Sequence, residues 1–130
     1  MPVRYVVHKI ARDHLLAWQR RLSARRRSGP EFARTYYQAL RDELIRTGGR
    51  PEHAHFIAKV NPPLGVWEYQ HGDTWVIYVV QKSGGFWAGV LGRSTVRVIL
   101  VGLYDHPPLQ EELTLLLSSY AASDRTGFVR

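Results

Sequence analysis

The sequence predicts an α+β domain: a strand, a helical hairpin, then an antiparallel β-sheet of about four strands with a C-terminal helix. Three observations carry this. Two apolar stripes at helical spacing fill residues 11–44, separated only by Ser28-Gly29-Pro30. Beyond Leu64 the pattern changes to short runs rich in aromatic and β-branched residues. Between two of those runs lies His71-Gly72-Asp73, the turn signal of a β-hairpin.

Taken in order, Val3–Ile10 is expected to be the first strand, with Val3, Tyr5 and Val7 on one face. A helix follows from about Asp13, which can act as its N-cap, to about Arg26. Its stripe is Ala11, Leu15, Trp18 and Leu22. The second helix runs from about Pro30 to Thr47, with Ser28 and Glu31 at capping-box spacing and Gly48-Gly49 as a stop. Ala33, Tyr36, Tyr37, Leu40 and Leu44 form its stripe. So short a link makes the two helices an antiparallel pair, and the helices are expected on one face of the sheet.

Arg50–Leu64, with Pro51, Pro62 and Pro63, reads as a loop with room for a short helix at His53–Lys59. The hairpin strands are Val66–Gln70 and Thr74–Gln81. Lys82–Thr95 holds four glycines with Phe86 and Trp87, a long connection with room for an extra edge strand. Val96–Tyr104 is the last strand and ends in the polar cluster Tyr104, Asp105 and His106. Pro107-Pro108 stops it. A C-terminal helix over about Leu109–Tyr120 carries Leu109, Leu113, Leu116 and Tyr120 on one side, and the tail from Ser123 is expected to fray.

A length of 130 residues with 45% hydrophobic content fits one domain, 1–130, with a single core and no disordered composition. Without cysteine there are no disulfides and no thiol catalysis, which fits a cytoplasmic protein. The opening MPVRYVVHKIARDH is too charged for a signal peptide. No apolar run approaches the roughly 20 residues that span a bilayer, so no membrane partner is expected. Charge is lopsided: residues 1–50 hold 12 Lys/Arg against 4 Asp/Glu, whereas residues 51–130 hold 6 against 7. The excess concentrates in Arg20, Arg21, Arg25, Arg26 and Arg27. It reads either as a surface facing a polyanion or acidic partner, or as a solvated helix end whose arginines favour the negative dipole terminus.

The hairpin carries a family resemblance. Trp67, Glu68, Tyr69, Gln70, His71, Gly72-Asp73, Thr74, Trp75, Val76, Ile77 and Tyr78 align without a gap to the hairpin pattern of the RelE/ParE superfamily of bacterial toxins. The Trp67-Glu68 pair and the stretch GLYDHPPLQEEL resemble the HigB and phage-derived branch. The likeness spans roughly residues 3–120. It implies a toxin of a type II toxin–antitoxin pair, bound by a cognate antitoxin protein. The implied action is either ribosome-dependent cleavage of messenger RNA or a ParE-like block of DNA gyrase. Outside that family stands a third class, a small basic domain that binds nucleic acid or protein without toxicity. Where the family's hairpin carries arginines, this chain has Glu68, Gln70 and Trp75, which lack the guanidinium fork that grips a phosphate.

Cleavage by 2′-hydroxyl attack needs a base, an acid for the leaving 5′ oxygen, and a cation near the scissile phosphate. His71 and His106 are the candidate base and acid, since imidazole titrates near neutrality. Lys59, Arg93 and Arg97 are candidate phosphate ligands, and Tyr104 sits where the family places function. Lys59, His71, Arg97, Tyr104 and His106 thus form the expected catalytic set. Arg20, Arg21, Arg25, Arg26, Arg27 and Arg93 form the expected RNA-binding set. No cofactor is expected: Gly84, Gly85, Gly89 and Gly92 have no following Lys-Ser/Thr of a P-loop. His53 and His55 lack nearby acidic or cysteine ligands, so no metal is expected either.

Overall fold

The computed structural model describes residues 2–24, 29–60, 64–83, 95–123 and 128–129, with 59, 60, 64, 83, 128 and 129 described by their backbone alone. The elements run β1 (Val3–His8), α1 (Lys9–Ala24), α2 (Gly29–Arg46), β2 (His55–Val60), β3 (Leu64–His71), β4 (Thr74–Ser83), β5 (Thr95–Tyr104), α3 (Gln110–Ser123) and β6 (Phe128–Val129). The fold is α+β, as the sequence implies. Its sheet order is β2-β3-β4-β5-β1-β6, which makes five strands and the two-residue β6. β1 lies parallel to β5, so the sheet is mixed rather than wholly antiparallel.

The helical stripes do what their spacing implies. Ala11 and Trp18 of α1 and Leu40 and Leu44 of α2 are buried against Tyr69, Val76, Tyr78, Val98 and Leu100 of the sheet, with Leu15, Leu22, Tyr36 and Tyr37 beside them. α2 ends in a Schellman motif. Gly49 N–H bonds the Leu44 carbonyl at 2.8 Å, Gly48 N–H bonds the Ile45 carbonyl at 3.2 Å, and Gly48 has φ +63°. Gly49 must stay small as well, since a Cβ there would lie 2.7 Å from a Val80 methyl.

Four expectations need correction. α1 begins at Lys9, not near Asp13, because the His8 ring Nδ1 accepts the Ile10 N–H at 3.2 Å and caps the helix there. The segment expected as a loop or short helix holds strand β2, which pairs antiparallel with β3 from His55↔Glu68 to Val60↔Leu64. The tail does not simply fray, because Phe128–Val129 pair with β1 and shield what would be its open edge. Finally, the helices cover both faces of the sheet. A second cluster of Val66, Ile77, Val79, Ile99, Val101 and Tyr104 packs under Leu116, Leu113 and Tyr120 of α3. Leu109 precedes that helix and is 65% exposed, off the predicted stripe. The near-continuous apolar run of β5 follows from having two covered faces. The extra edge strand foreseen in 82–95 concerns residues outside those described, apart from β4 reaching Ser83.

Candidate active site

A β-bulge creates the site. β4 pairs Ile77↔Gly102 and Tyr78↔Leu100, which leaves Val101 as an extra residue on β5. Without it, Tyr104 would share the helical-hairpin face with Leu100. The bulge turns Tyr104 onto the α3 face instead, the re-aiming that bulges commonly perform. Gly102 lets α3 come close there, since a Cβ on it would lie 2.8 Å from a Leu116 methyl.

Beyond Tyr104 the chain places Asp105 and His106 at the mouth, and Pro107-Pro108 delays the next helix. In its first turn Glu112 accepts the Leu109 N–H at 3.0 Å, the reach-back of a capping-box carboxylate. That holds the Glu112 carboxylate 3.1 Å from His106 Nε2, while His106 Nδ1 lies 3.2 Å from Asp105 Oδ1. Arg21 Nε of α1 donates to Asp105 Oδ2 at 2.7 Å. The result is a line of alternating charge, Arg21–Asp105–His106–Glu112. The Tyr104 ring packs edge-on against His106 at 5.7 Å and His14 at 5.2 Å.

Both His106 nitrogens face carboxylates, and only the imidazolium can donate to both. Its pKa is accordingly raised, first by the Glu112 hydrogen bond and then by Asp105. Burial alone would raise Asp105, yet the bonds from His106 and Arg21 hold it below the ordinary carboxylate range. Glu112 is lowered by the Leu109 N–H and then by His106. Burial pushes the Tyr104 phenol up to about 12, which rules it out as a base near neutrality.

The second imidazole has the opposite setting. His71 closes β3 opposite Thr74 across the two-residue Gly72-Asp73 turn, in which Gly72 has φ +59°. Its carbonyl accepts the Tyr36 hydroxyl, and its Nδ1 lies 2.7 Å from the Tyr69 oxygen. Burial lowers the His71 pKa, with Glu43 opposing in part. Beside the helical hairpin opens a cleft of about 320 Å³ lined by Trp18, Arg21, Leu22, Phe32, Tyr36, Asp73, Thr74 and Asp105, of which Tyr36 packs on the His71 ring and Asp105 bonds the His106 ring. Trp18 Nε1 donates to Thr74 Oγ1 at 3.1 Å and ties α1 to the hairpin turn.

Of the expected catalytic residues, the fold brings His71, Tyr104 and His106 to one end of the sheet and leaves Lys59 and Arg97 at the other. Gly65, the β3 partner of Lys59, is six residues from His71, about 20 Å at strand spacing. Arg97 pairs with Arg4 and Gln81, about 20 Å along β5 from Tyr104. The Lys59 side chain lies outside the described residues, as do Arg25, Arg26, Arg27 and Arg93. Arg21 is committed to Asp105, and Arg20 lines an open groove with Leu16, Pro30 and Arg34. At the hairpin positions without arginine, Glu68 pairs with His55 at 3.2 Å and Gln70 bonds the Gly72 carbonyl at 3.1 Å. No group of three or more metal-binding side chains occurs among the described residues, and no described helix is long and apolar enough to cross a membrane. Sequence reasoning missed Glu112, His14 and the Arg21–Asp105 contact. Only Glu112 had a local signal, its position three residues after Leu109 at a helix start.

No family model, curated protein or solved structure matches this chain.

The two imidazoles should titrate on opposite sides of the ordinary value near 6.5, His106 above and His71 below. A pH series of imidazole NMR resonances checks this. The linkage has a definite sign. His106 holds its proton more tightly when folded, so its stabilisation is complete below about pH 6.5 and fades as pH rises through its raised value. Asp105 and Glu112 stabilise above the ordinary carboxylate range and lose that as pH falls through their lowered values.

Proposed function

We propose that this chain is a RelE/ParE-like toxin that cleaves messenger RNA on the ribosome. One observation carries the reading: two imidazoles at one end of the sheet whose pKa values are shifted in opposite directions, each in contact with a residue that lines one cleft. The His71 ring packs edge-on against Tyr36 at 5.2 Å, and the His106 ring bonds Asp105. Pairs of titratable groups pushed apart by their surroundings are the mark of an acid and a base working together. The order of strand, helical hairpin, sheet and C-terminal helix is consistent with the family resemblance of the hairpin sequence.

In this reading His71 Nδ1–H donates to the Tyr69 oxygen, and Nε2 keeps the lone pair that takes the 2′-hydroxyl proton. The 2′ oxygen attacks phosphorus and the bond to the 5′ oxygen breaks. His106, held protonated by Glu112 and Asp105, gives its proton to that leaving oxygen. The products are a 2′,3′-cyclic phosphate and a free 5′-hydroxyl. The imidazolium also supplies positive charge beside the phosphate, in place of the arginines absent from the hairpin. A cognate antitoxin segment would cover this end of the sheet. A gyrase block would need no proton-transfer pair.

Induced alone in bacteria, the chain should arrest growth, and co-expression of a small antitoxin gene from its own neighbourhood should relieve the arrest. Unaffected growth at verified soluble expression contradicts the toxin reading and leaves a plain binding domain.

A further inference from the structure

We propose that the cleft between the helical hairpin and the Gly72-Asp73 turn is a guanine-binding subsite. The proposal rests on the RNA-cleaving reading and names the base this same site selects. Three features of the cleft converge on it. First, one wall is aromatic: the half-buried Phe32 and Tyr36 rings lie 5.9 Å apart at the cavity, over the buried Trp18. Such rings offer a flat base a stacking surface, the usual means of holding an unpaired base. The volume of about 320 Å³ falls at the lower end for small-molecule sites and suits a single base rather than a larger ligand.

Second, Asp73 lines the same cavity from the turn and makes no hydrogen bond or ion pair among the described residues. Its carboxylate is a bidentate acceptor. Third, Arg21 lines the cavity and among the described residues engages Asp105 through Nε, which leaves N–H groups on its two terminal nitrogens as donors to a ligand. A ligand that satisfies both sides needs two adjacent N–H donors on one edge and acceptors on another. Guanine alone among the four bases has this, with N1–H and N2–H for a carboxylate and O6 and N7 for an arginine. Adenine would turn its N1 acceptor toward the Asp73 carboxylate, and cytosine its N3. Uracil has a single N–H to give. Among the described residues the cleft carries two carboxylates, Asp73 and Asp105, against one arginine, a balance that favours a neutral base with a donor edge.

Its position agrees with the chemistry. The His71 ring packs against Tyr36 and the His106 ring bonds Asp105, two residues of the cleft lining, so a base in the cleft is one residue removed from the proposed acid and base. Trp18 also supplies a local probe, because its indole N–H is held by Thr74 at the cleft wall.

The test is titration of the purified full chain with 5′-GMP, 5′-AMP or free arginine, followed by the Trp18 indole N–H resonance. GMP should move that resonance saturably and bind at least roughly tenfold more tightly than AMP. Asp73→Asn should weaken GMP roughly ten- to a hundredfold and leave the resonance dispersion of the fold unchanged, since the residue is exposed in the turn. Equal response to GMP and AMP, or GMP affinity unaltered by Asp73→Asn, overturns the proposal. So does a response to arginine with GMP inert, which would assign the cleft to a basic side chain of a protein partner. The two readings fail separately: guanine binding by a chain that cuts no RNA keeps the subsite and removes the ribonuclease, while RNA cutting without guanine preference removes the subsite alone.

Discussion

His106→Ala should lower cleavage of ribosome-bound messenger RNA by about 10²–10⁴-fold, the usual loss for a positioned acid–base group. The fold should barely notice. His106 is half exposed, with 52% of its side chain accessible, and its partners lie at the surface, where ion pairs contribute little. His71→Ala should cost cleavage by a similar factor. The pH profiles should separate the two roles. With His71 neutral and His106 charged, the working combination persists across the interval between their displaced pKa values, so the rate should be flat through neutrality. Glu112→Gln removes the first cause of the raised His106 value. It should therefore pull in the alkaline limb while leaving the acid limb in place. Reconstituted translation with a defined message measures all three variants. A His106→Ala protein that cuts at the parent rate would remove this residue from the chemistry.

Trp18→Ala should be the most damaging single change to the fold. The side chain is only 2% exposed, packs against Tyr36 and Tyr37, and donates its indole N–H to buried Thr74. Truncation leaves a large cavity and an unmet hydroxyl, a loss of about 3–5 kcal/mol for a buried aromatic. At this chain length that corresponds to a melting temperature lower by on the order of 10–20 °C. Trp18→Phe refills most of the volume without restoring the hydrogen bond and should recover more than half of the loss. Thermal melts of the two variants check the order. Near-parental stability of Trp18→Ala would mean that α1 does not depend on this contact to hold the hairpin turn.

Much of the scaffold was legible from local pattern. Leu15, Trp18 and Leu22, and Tyr36, Leu40 and Leu44, mark their buried faces because helical period and burial coincide. Gly48-Gly49 ends α2 as a Schellman motif, and Gly72-Asp73 turns the hairpin, because those backbone angles favour glycine. β2 escaped because HFIAKV has no clean alternation. A bulge between Phe56 and Ala58 breaks its period, and Pro51, Pro62 and Pro63 around it read as loop. Helices on both faces were foreshadowed in β5, whose unbroken apolar run suits a strand covered twice.

The site was legible only in part. Tyr104, Asp105 and His106 stand together in sequence, so their shared end of the sheet could be read. Arg21 and Asp105, 84 residues apart, meet only because α1 crosses the end of β5. The bulge at Val101 could not be read at all, yet it decides which face Tyr104 joins. Lys59 and Arg97 looked close to the hairpin and last strand in sequence, but strand register carries both to the far end. Nearness along an extended chain is poor evidence of nearness in a sheet, since six residues span about 20 Å.

Mapping messenger RNA 5′ ends after induction tests the central claim most directly. The account predicts new 5′-hydroxyl ends inside translated regions within the period of growth arrest, and their absence when His106→Ala is induced to the same level. Intact transcripts in cells that have nonetheless stopped growing would contradict it.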